Sequence, residues 1–462
     1  MTEKKRSLRR PELDTVYTIN EDGSRNFMHP ADVHGRWQIR KNAIFAILLA
    51  IYVGLPWLQV GGHPAVNVDI PGRLAYFFGL SFSNQDFYLL FFPLFGIGFS
   101  LFVVTTLWGR AWCGYACPQT VFMEGIFRKL ERIIEGPRDK RIRRNLGPWT
   151  GGKLVRKSFK WVLFLAIAAG IAHTFLSYFI PARELFSIVM QGPGEHSVAF
   201  GWTLFWTVVM AFNFIWFREQ TCLIICPYGR LQSALIDDDT VIIGYDEKRG
   251  EPREKGADKG GDCIDCYRCV AVCPTGIDIR NGLQLECVGC NNCIDACDDM
   301  MERIGKPKGL VRYDSMNGLA GLKRRFMRPR VYGYMFFALV WAVGAFLALN
   351  HRTNFEAKSV RSQGLPFQLI GDDLRNLYTL HLQNKTDGPR VYFVSFGGSE
   401  GSEPEMLISQ SRLALEAFEI ANVPIFATLS RSDYLSDFDM EIAVTDSISG
   451  EVKPVTFRFR GP

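Results

Sequence analysis

The chain has 462 residues, of which 48% are hydrophobic and 22% charged, and a formal net charge of +6. That length exceeds what one hydrophobic core usually serves, so two or more domains are expected. The charge is mild and lies in blocks, and no basic stripe with interleaved aromatic residues marks a nucleic-acid binder.

Residues 1–41 are polar and basic and show no signal-peptide pattern, so the hydrophobic segment that follows is read as a retained helix. Five segments can span a bilayer, which takes about 20 apolar residues: Asn42–Val60, Phe87–Trp108, Trp161–Ile180, Val198–Phe217 and Val331–Asn350. None contains Asp, Glu, Lys or Arg, and none shows the polar face that a buried helix of a soluble protein carries at period 3.6. Thirteen Lys and Arg lie between Arg110 and Lys160, and Lys323, Arg324, Arg325, Arg328 and Arg330 precede the last span. Gly61–Asp86 holds only Arg73, and Pro181–Ser197 only Arg183. The positive-inside rule then puts the N-terminus, Gly109–Lys160 and Arg218–Arg330 in the cytoplasm of a bacterial inner membrane, and everything after Asn350 outside. The domains read as an N-terminal segment 1–41, a four-helix membrane region 42–217, a cytoplasmic region 218–330, a fifth span 331–350 and an exported domain 351–462.

All twelve cysteines lie between Cys113 and Cys297, on the cytoplasmic side or at its membrane border. This placement speaks against structural disulfides and for metal or redox work. Eight form two runs, Cys263-x2-Cys266-x2-Cys269-x3-Cys273-Pro274 and Cys287-x2-Cys290-x2-Cys293-x3-Cys297. This is bacterial ferredoxin spacing, in which three close thiolates grip one cubane and the fourth Cys of each run ligates the other. Two 4Fe–4S clusters are expected, one on Cys263, Cys266, Cys269 and Cys297, the other on Cys287, Cys290, Cys293 and Cys273. Zinc also takes Cys-x2-Cys but does not need the doubled three-plus-one pattern. Asp298 stands where the second run would usually have Pro, and thirteen residues separate Cys273 from Cys287.

The other four cysteines form two pairs, Cys113-x3-Cys117-Pro118 after the second span and Cys222-x3-Cys226-Pro227 after the fourth. The i,i+4 spacing predicts both sulfurs of a pair on one helix face, and Pro suits the first turn of a new helix. One such helix is predicted over Pro118–Ile134, with Arg128, Lys129 and Arg132 outside. Trp108-x-Arg110 precedes the first pair and Trp216-x-Arg218 the second, with offsets to the first Cys that differ by one residue. The two halves read as parallel repeats about an axis along the membrane normal. That symmetry predicts four thiols together, a redox or soft-metal site, with nearby Arg lowering their pKa values. A pair of small residues at a helix end is the plainer reading, and the repetition of the motif weighs against it. His173 is an ionisable group inside a span, hence a candidate ligand or proton carrier, although such a His often only bonds within the bundle. Haem is not expected, since there is no Cys-x-x-Cys-His.

Beyond Arg352 the sequence reads as β, with strands over Leu377–Gln383, Val391–Phe396, Ala414–Ile420, Ile425–Leu429, Met440–Val444 and Val455–Phe459. Short strands at this spacing predict an immunoglobulin-like sandwich. The fold class is thus a multi-domain membrane protein: a five-span α-helical bundle, a double 4Fe–4S ferredoxin insert and a C-terminal β-sandwich.

This order of parts, with local strings such as Ala172-His-Thr-Phe-Leu-Ser-Tyr-Phe-Ile-Pro181 and Val272-Cys-Pro-Thr-Gly-Ile-Asp-Ile-Arg280, resembles the FixG/RdxA/CcoG family over nearly the whole chain. The resemblance implies a cytochrome c oxidase accessory protein used in assembling cbb3-type oxidases, and reduction of Cu(II) to Cu(I). Copper would be substrate or transient ligand at Cys113, Cys117, Cys222 and Cys226. The implied partners are membrane lipid, oxidase assembly factors or a copper transporter or chaperone, and a cytoplasmic or quinol electron donor. The membrane half also resembles NapH-like subunits that oxidise quinol. A third reading is a non-enzymatic assembly scaffold with structural clusters.

Overall fold

The structure, a computed structural model, describes residues 27–253, 260–361, 366–399 and 403–462; residues 1–26 of the N-terminal segment lie outside them. Five helices are long and apolar enough to cross a membrane: Arg36–Trp57, Asn84–Trp108, Gly151–Leu176, Ser197–Phe217 and Pro329–Asn350. The third and fifth begin before the apolar segments read from sequence, because Thr150 caps the amide of Lys153 and Pro329 starts a helical turn without needing its own N–H. The side chains along these helices are largely exposed in the isolated chain, as lipid-facing residues are: Phe336, Phe337 and Leu339 are examples in the fifth.

The chain divides into two compact units. The first, residues 1–68 and 91–343, holds the cysteines. Within it the third and fourth spans pack on each other, and Phe122, Phe127, Phe164 and Phe214 form an aromatic core in which Phe127 stacks on Phe214 at 4.7 Å. The helix after Cys117 runs as Pro118–Phe122, a π turn Met123–Phe127, and Arg128–Glu135. Lys129 and Arg132 are exposed on it, as expected, but Arg128 is buried. The π turn rotates Arg128 inward, where it meets Glu124, Glu219 at 3.2 Å and the Pro274 carbonyl at 3.1 Å.

A buried ionic network surrounds Glu131. Its carboxylate takes Arg218 at 3.1 Å, Arg141 at 3.3 Å and Lys160 at 3.3 Å. Burial by itself would raise the Glu131 pKa, but Arg218 and Lys160 hold it well below the usual carboxylate range. The network ties the 131–141 stretch to Lys160 and Arg218, and pairing offsets the cost of burying these charges.

The second unit, residues 69–90 and 344–462, is a two-sheet sandwich with a hairpin added from the first interhelical loop. One sheet runs Glu405–Ile408, Ile420–Ser430, Asp373–Asn384, Phe355–Arg361, with Gln368–Ile370 also paired to Asp373–Asn384. The other runs Arg412–Leu415, Arg390–Ser399, Phe438–Asp446, Val452–Phe459. All the pairings are antiparallel. Alternate residues point inward to a core that includes Leu374, Leu380, Leu382, Tyr392, Ile425, Ile442, Val444 and Phe459. The predicted strand Ala414–Ile420 is in fact two: Leu415 ends one and Ile420 begins the next, separated by a turn in which Phe418 has φ 61. Strands at Phe355–Arg361 and Glu405–Ile408 escaped the sequence reading, as did the hairpin Leu74–Phe77/Leu80–Phe82, whose turn residues Phe78 and Gly79 both have positive φ.

That hairpin stretch is held by one buried carboxylate. Asp86, in the loop segment, is ion-paired to Arg352 and to Lys385, each at 3.2 Å. Lys385 also takes Glu356 at 3.0 Å. Removing Asp86 leaves Arg352 without its carboxylate and Lys385 with Glu356 alone, and breaking a buried pair typically costs about 3–5 kcal/mol. An Asp86→Ala chain is expected to show earlier proteolytic cleavage within residues 69–90 and a lowered unfolding midpoint of the second unit. Unchanged cleavage and midpoint would show that the carboxylate does not hold the segment.

Candidate functional site

The eight ferredoxin-type cysteines lie in an insert whose neck is closed by antiparallel pairing of Ile242–Tyr245 with Val311–Asp314. The two runs have matching local geometry. Tyr267 and Asn291, each two residues before the third Cys of its run, adopt left-handed conformations with φ of 55° and 60°. Each starts a helix, Arg268–Ala271 and Asn292–Arg303, so that Cys269 and Cys293 fall in the first turn. The runs differ after the fourth Cys. Pro274 stops the first helix, because Pro cannot continue it. Asp298 lets the second continue to Arg303, and its carboxylate accepts the Gly309 amide at 2.8 Å.

Two cavities result. One, of about 370 Å³, is lined by Cys263, Cys266, Cys269 and Cys297. The other, of about 320 Å³, is lined by Cys273, Cys287, Cys290 and Cys293, with Cys269 at its edge. The fourth Cys of each run therefore faces the cavity of the other run. All eight are free thiols, and of the eight only Cys266 is exposed. Burial pushes the Cys287 and Cys297 thiols up to about 12. Thiols this buried stay protonated unless a metal-bearing group displaces the proton. The donor set and the enclosed space fit a cubane in each cavity.

The four remaining thiols follow the second and fourth membrane-length helices. Cys113 lies in a short helix Ala111–Tyr115, and Cys117 is the cap residue of Pro118–Phe122. Cys222 lies in a π turn Thr221–Ile225, and Cys226 caps Pro227–Leu235. The sulfurs of a pair therefore straddle a helix break and do not share one helix face. The reason is the following Pro, which keeps the residue before it out of the α region; Cys117 and Cys226 have ψ of 126° and 108°. The repeat is otherwise close, and the wider π turn takes up the one extra residue between Arg218 and Cys222.

Cys113 lies within electrostatic reach of Cys117, Cys222 and Cys226, and so does Cys222 of the other three. Neighbouring arginines do not make Cys113 and Cys222 thiolates. Burial pushes Cys113 up to about 12, with Arg110 opposing in vain, and raises Cys117 and Cys222 as well. Desolvation outweighs one neighbouring cation. The Cys113 thiol donates to the amide oxygen of Gln232, a fully buried residue, at 3.5 Å.

Arg110, and four residues that sequence reasoning passed over, assemble this region. Arg110 donates to the carbonyls of Leu285, Cys287 at 3.0 Å and Gly229 at 2.8 Å. It thereby joins the first thiol motif, the second cysteine cavity and the helix after Cys226. Gly114 and Gly289 allow the backbones to touch: a Cβ on Gly289 would lie 2.7 Å from the Arg110 carbonyl, and one on Gly114 would collide with the Gly289 carbonyl. Asn213 in the fourth span and Gln119 exchange amide hydrogen bonds of 2.7 and 3.3 Å, linking the two repeats. The signal for Asn213 was an uncharged polar residue inside a span.

His173 lies in the helix Gly151–Leu176, and its Nδ1 bonds the Ala169 carbonyl of the same helix at 2.8 Å.

A dicluster iron–sulfur insert beside paired membrane-border thiols defines a membrane electron-transfer protein, and the comparisons agree. Residues 217–316 match a 4Fe-4S dicluster domain, 89–137 a 4Fe-4S binding domain, and 345–462 the IG-like fold at the C-terminal of FixG. Protein RdxA of Cereibacter sphaeroides is 38% identical over 399 residues, 82% of this chain and 83% of the relative. Protein RdxB of the same organism is 34% identical over 430 residues, 88% of each. Nitrogen fixation protein FixG of Rhizobium meliloti is 37% identical over 313 residues, 64% of this chain and 58% of the relative. A crystal structure of a FixG-related protein from Vibrio parahaemolyticus aligns with 24% of this chain and 97% of its own, at 19% identity and a TM-score of 0.21. The chain belongs to the FixG/RdxA family.

The N-terminal strap Met28–Gly35 ties to the same region. The Ala31 amide donates to the Ala271 carbonyl at 2.8 Å, and His29 Nε2 meets the Asn145 side-chain amide at 2.9 Å. Burial drives the His29 imidazole down to about 3, with Glu131 only partly opposing. A folded pKa below the ordinary 6.5 means that the unstrapped chain binds the proton first. Strap docking is therefore complete above about pH 6.5 and weakens as pH falls towards 3. Hydrogen exchange at the Ala31 amide, corrected for its intrinsic pH dependence, is expected to lose protection over that window, and a His29→Gln chain to lose most of the dependence. A flat profile in the native chain would contradict the assignment.

Proposed function

We propose that this iron–sulfur electron-transfer protein reduces Cu(II) to Cu(I) at the membrane-border thiols, in support of cbb3-type oxidase assembly. The observation that carries the reading is the backbone contact of Gly114 with Gly289, which seats the Cys113–Cys117 motif directly on the loop between Cys287 and Cys290. In this reading Cys263, Cys266, Cys269 and Cys297 hold one 4Fe–4S cluster, and Cys273, Cys287, Cys290 and Cys293 the other. When bound, the clusters supply single electrons.

The protein's own residues do the rest. Arg110 and the paired glycines fix the distance between the second cavity and the thiols. The thiols receive the substrate ion: Cu(II) gains one electron, thiol protons leave to solvent, and the soft thiolates hold the Cu(I) formed. Among the described residues no three Cys, His, Asp or Glu side chains surround one point as single-ion ligands. Two-thiolate coordination, one Cys from each motif, suffices for Cu(I). Cu(I) would then pass to an oxidase assembly factor or a copper transporter or chaperone.

The family is a membrane one, and the orientation proposed is clusters in the cytoplasm and β-sandwich in the periplasm. The charge distribution supports it. So does the shared unit of residues 69–90 and 344–462, since a loop and a domain packed as one body lie on one side of a membrane. A reporter active only in the periplasm is expected to work when fused after Asn350 and to fail after Arg280; the reverse pattern would invert the orientation.

The thiol assignment is tested on anaerobically purified protein. Paired Cys113→Ser and Cys117→Ser changes are expected to abolish Cu(II) reduction while iron stays at about eight atoms per chain. The Cys222→Ser and Cys226→Ser pair should do the same, and all four together should cost little more, because residues acting as a unit are non-additive. Normal Cu(II) reduction by the quadruple variant would end the thiol-site reading.

A further inference from the structure

The two cysteine-lined cavities differ in the charge around them. Beside the first stand Arg268 and Arg280; Arg268 is part-exposed, so water screens its charge, and the Arg280 guanidinium is spent on carboxylates, Asp278 at 2.6 Å and Asp265 at 2.7 Å. Asp298 adds a further negative charge next to Cys297, and Cys266 opens the cavity to water. The second cavity is flanked by two buried cations. Lys41, 1% exposed, directs its ammonium to the Asn292 amide oxygen and to the Cys290 carbonyl at 3.4 Å. Arg110, 9% exposed, bonds only the three carbonyls named above. Neither pairs with a carboxylate among the described residues. The carboxylates nearby are engaged elsewhere: Glu124 with Arg128, and Asp295 with the amides of Trp37 and Gln38, at 2.8 Å for the latter.

A buried cation that bonds only neutral oxygens keeps its full charge in a low-dielectric surrounding, where it acts over several ångströms. An iron–sulfur group ligated by four thiolates is anionic, and each electron added makes it one charge more negative. Nearby positive charge favours the reduced form, and paired or screened charge does so far less.

On the reading that the eight cysteines hold two clusters, we propose that Lys41, assisted by Arg110, is a tuning residue. It makes the Cys273/Cys287/Cys290/Cys293 set the preferred seat of the electron over the Cys263/Cys266/Cys269/Cys297 set. The preferred set is the one on which the Cys113–Cys117 motif packs, and the less preferred set is the one with an exposed thiol. The electron thus rests at the membrane-border thiols and not at the water-facing end of the insert. Nothing in the cysteine spacing distinguishes the two sets in this way.

The test is a redox titration of the full-length protein in detergent under anaerobic conditions, read by electron paramagnetic resonance. Two signals are expected in the native protein at different potentials. Lys41→Met should leave iron and sulfide at the native level and lower only the higher potential. About tenfold less of that signal should be reduced at a fixed potential, equivalent to about 59 mV for one electron. Lys41→Arg should restore it. Cys266→Ser, which disturbs only the first set, should leave the Lys41-sensitive signal intact. Where Lys41→Met loses iron, Lys41→Gln, which keeps a hydrogen-bonding end without the charge, gives the same readout. The proposal is overturned by unchanged potentials in the neutral variants, or by a shift confined to the signal that Cys266→Ser removes. Native protein with far fewer than eight irons would instead overturn the two-cluster reading on which it rests.

Discussion

The guanidinium of Arg110 is the bond on which the first unit depends. Its donors reach Leu285, Cys287 and Gly229, so one planar group with a fixed fork joins three stretches far apart in sequence. The insert is also held to the first span by Lys41 on Asn292 and Cys290 and by Asp295 on the Trp37 and Gln38 amides, and to the helix after Cys117 by the Arg128 contact with Pro274. Lysine has one donor centre and cannot serve three carbonyls at these separations. Beside Arg110, Gly114 and Gly289 leave the room that lets the two backbones approach.

Burial around this junction has a chemical consequence. Desolvation raises the thiol pKa values of Cys113, Cys117 and Cys222 despite adjacent arginines. A site of protonated thiols does not react with solutes indiscriminately, yet yields its protons to a metal that binds tightly enough. Selectivity for a soft ion follows from the same feature. The surrounding ionic groups are rigid: Glu131 with its three cations and Arg128 with two carboxylates fix the helix ends whose breaks present the cysteines. Three π turns, Met123–Phe127, Phe212–Phe217 and Thr221–Ile225, all fall here, where backbone irregularity aims side chains inward.

The β unit is built on different physics. Its two sheets hold together through a dry core with alternating inward residues, and the hairpin from the first interhelical loop joins it through the buried Asp86 pairings. The loop, charged only at Asp69, Arg73 and Asp86, carries no long periodic signal, so its membership in the β unit is a tertiary fact.

The sequence alone determined whatever depends on local composition or spacing. Five uncharged apolar stretches define five spans because a bilayer admits no unpaired backbone and few charges. The doubled cysteine runs predict two ligand sets because they carry the bacterial ferredoxin spacing, in which the fourth Cys of each run serves the other set. Tertiary structure decided what depends on which surfaces meet. The paired thiols straddle helix breaks because Pro118 and Pro227 override the i,i+4 expectation, and their protonation follows burial, which no neighbour in sequence reveals. Arg128 and Lys41, which read as ordinary basic residues at a membrane border, are buried against the insert. Their partners, Glu219, Pro274, Cys290 and Asn292, lie roughly 90 to 250 positions away, and a long-range pairing of charge with carbonyl or carboxylate leaves no periodic trace in a chain.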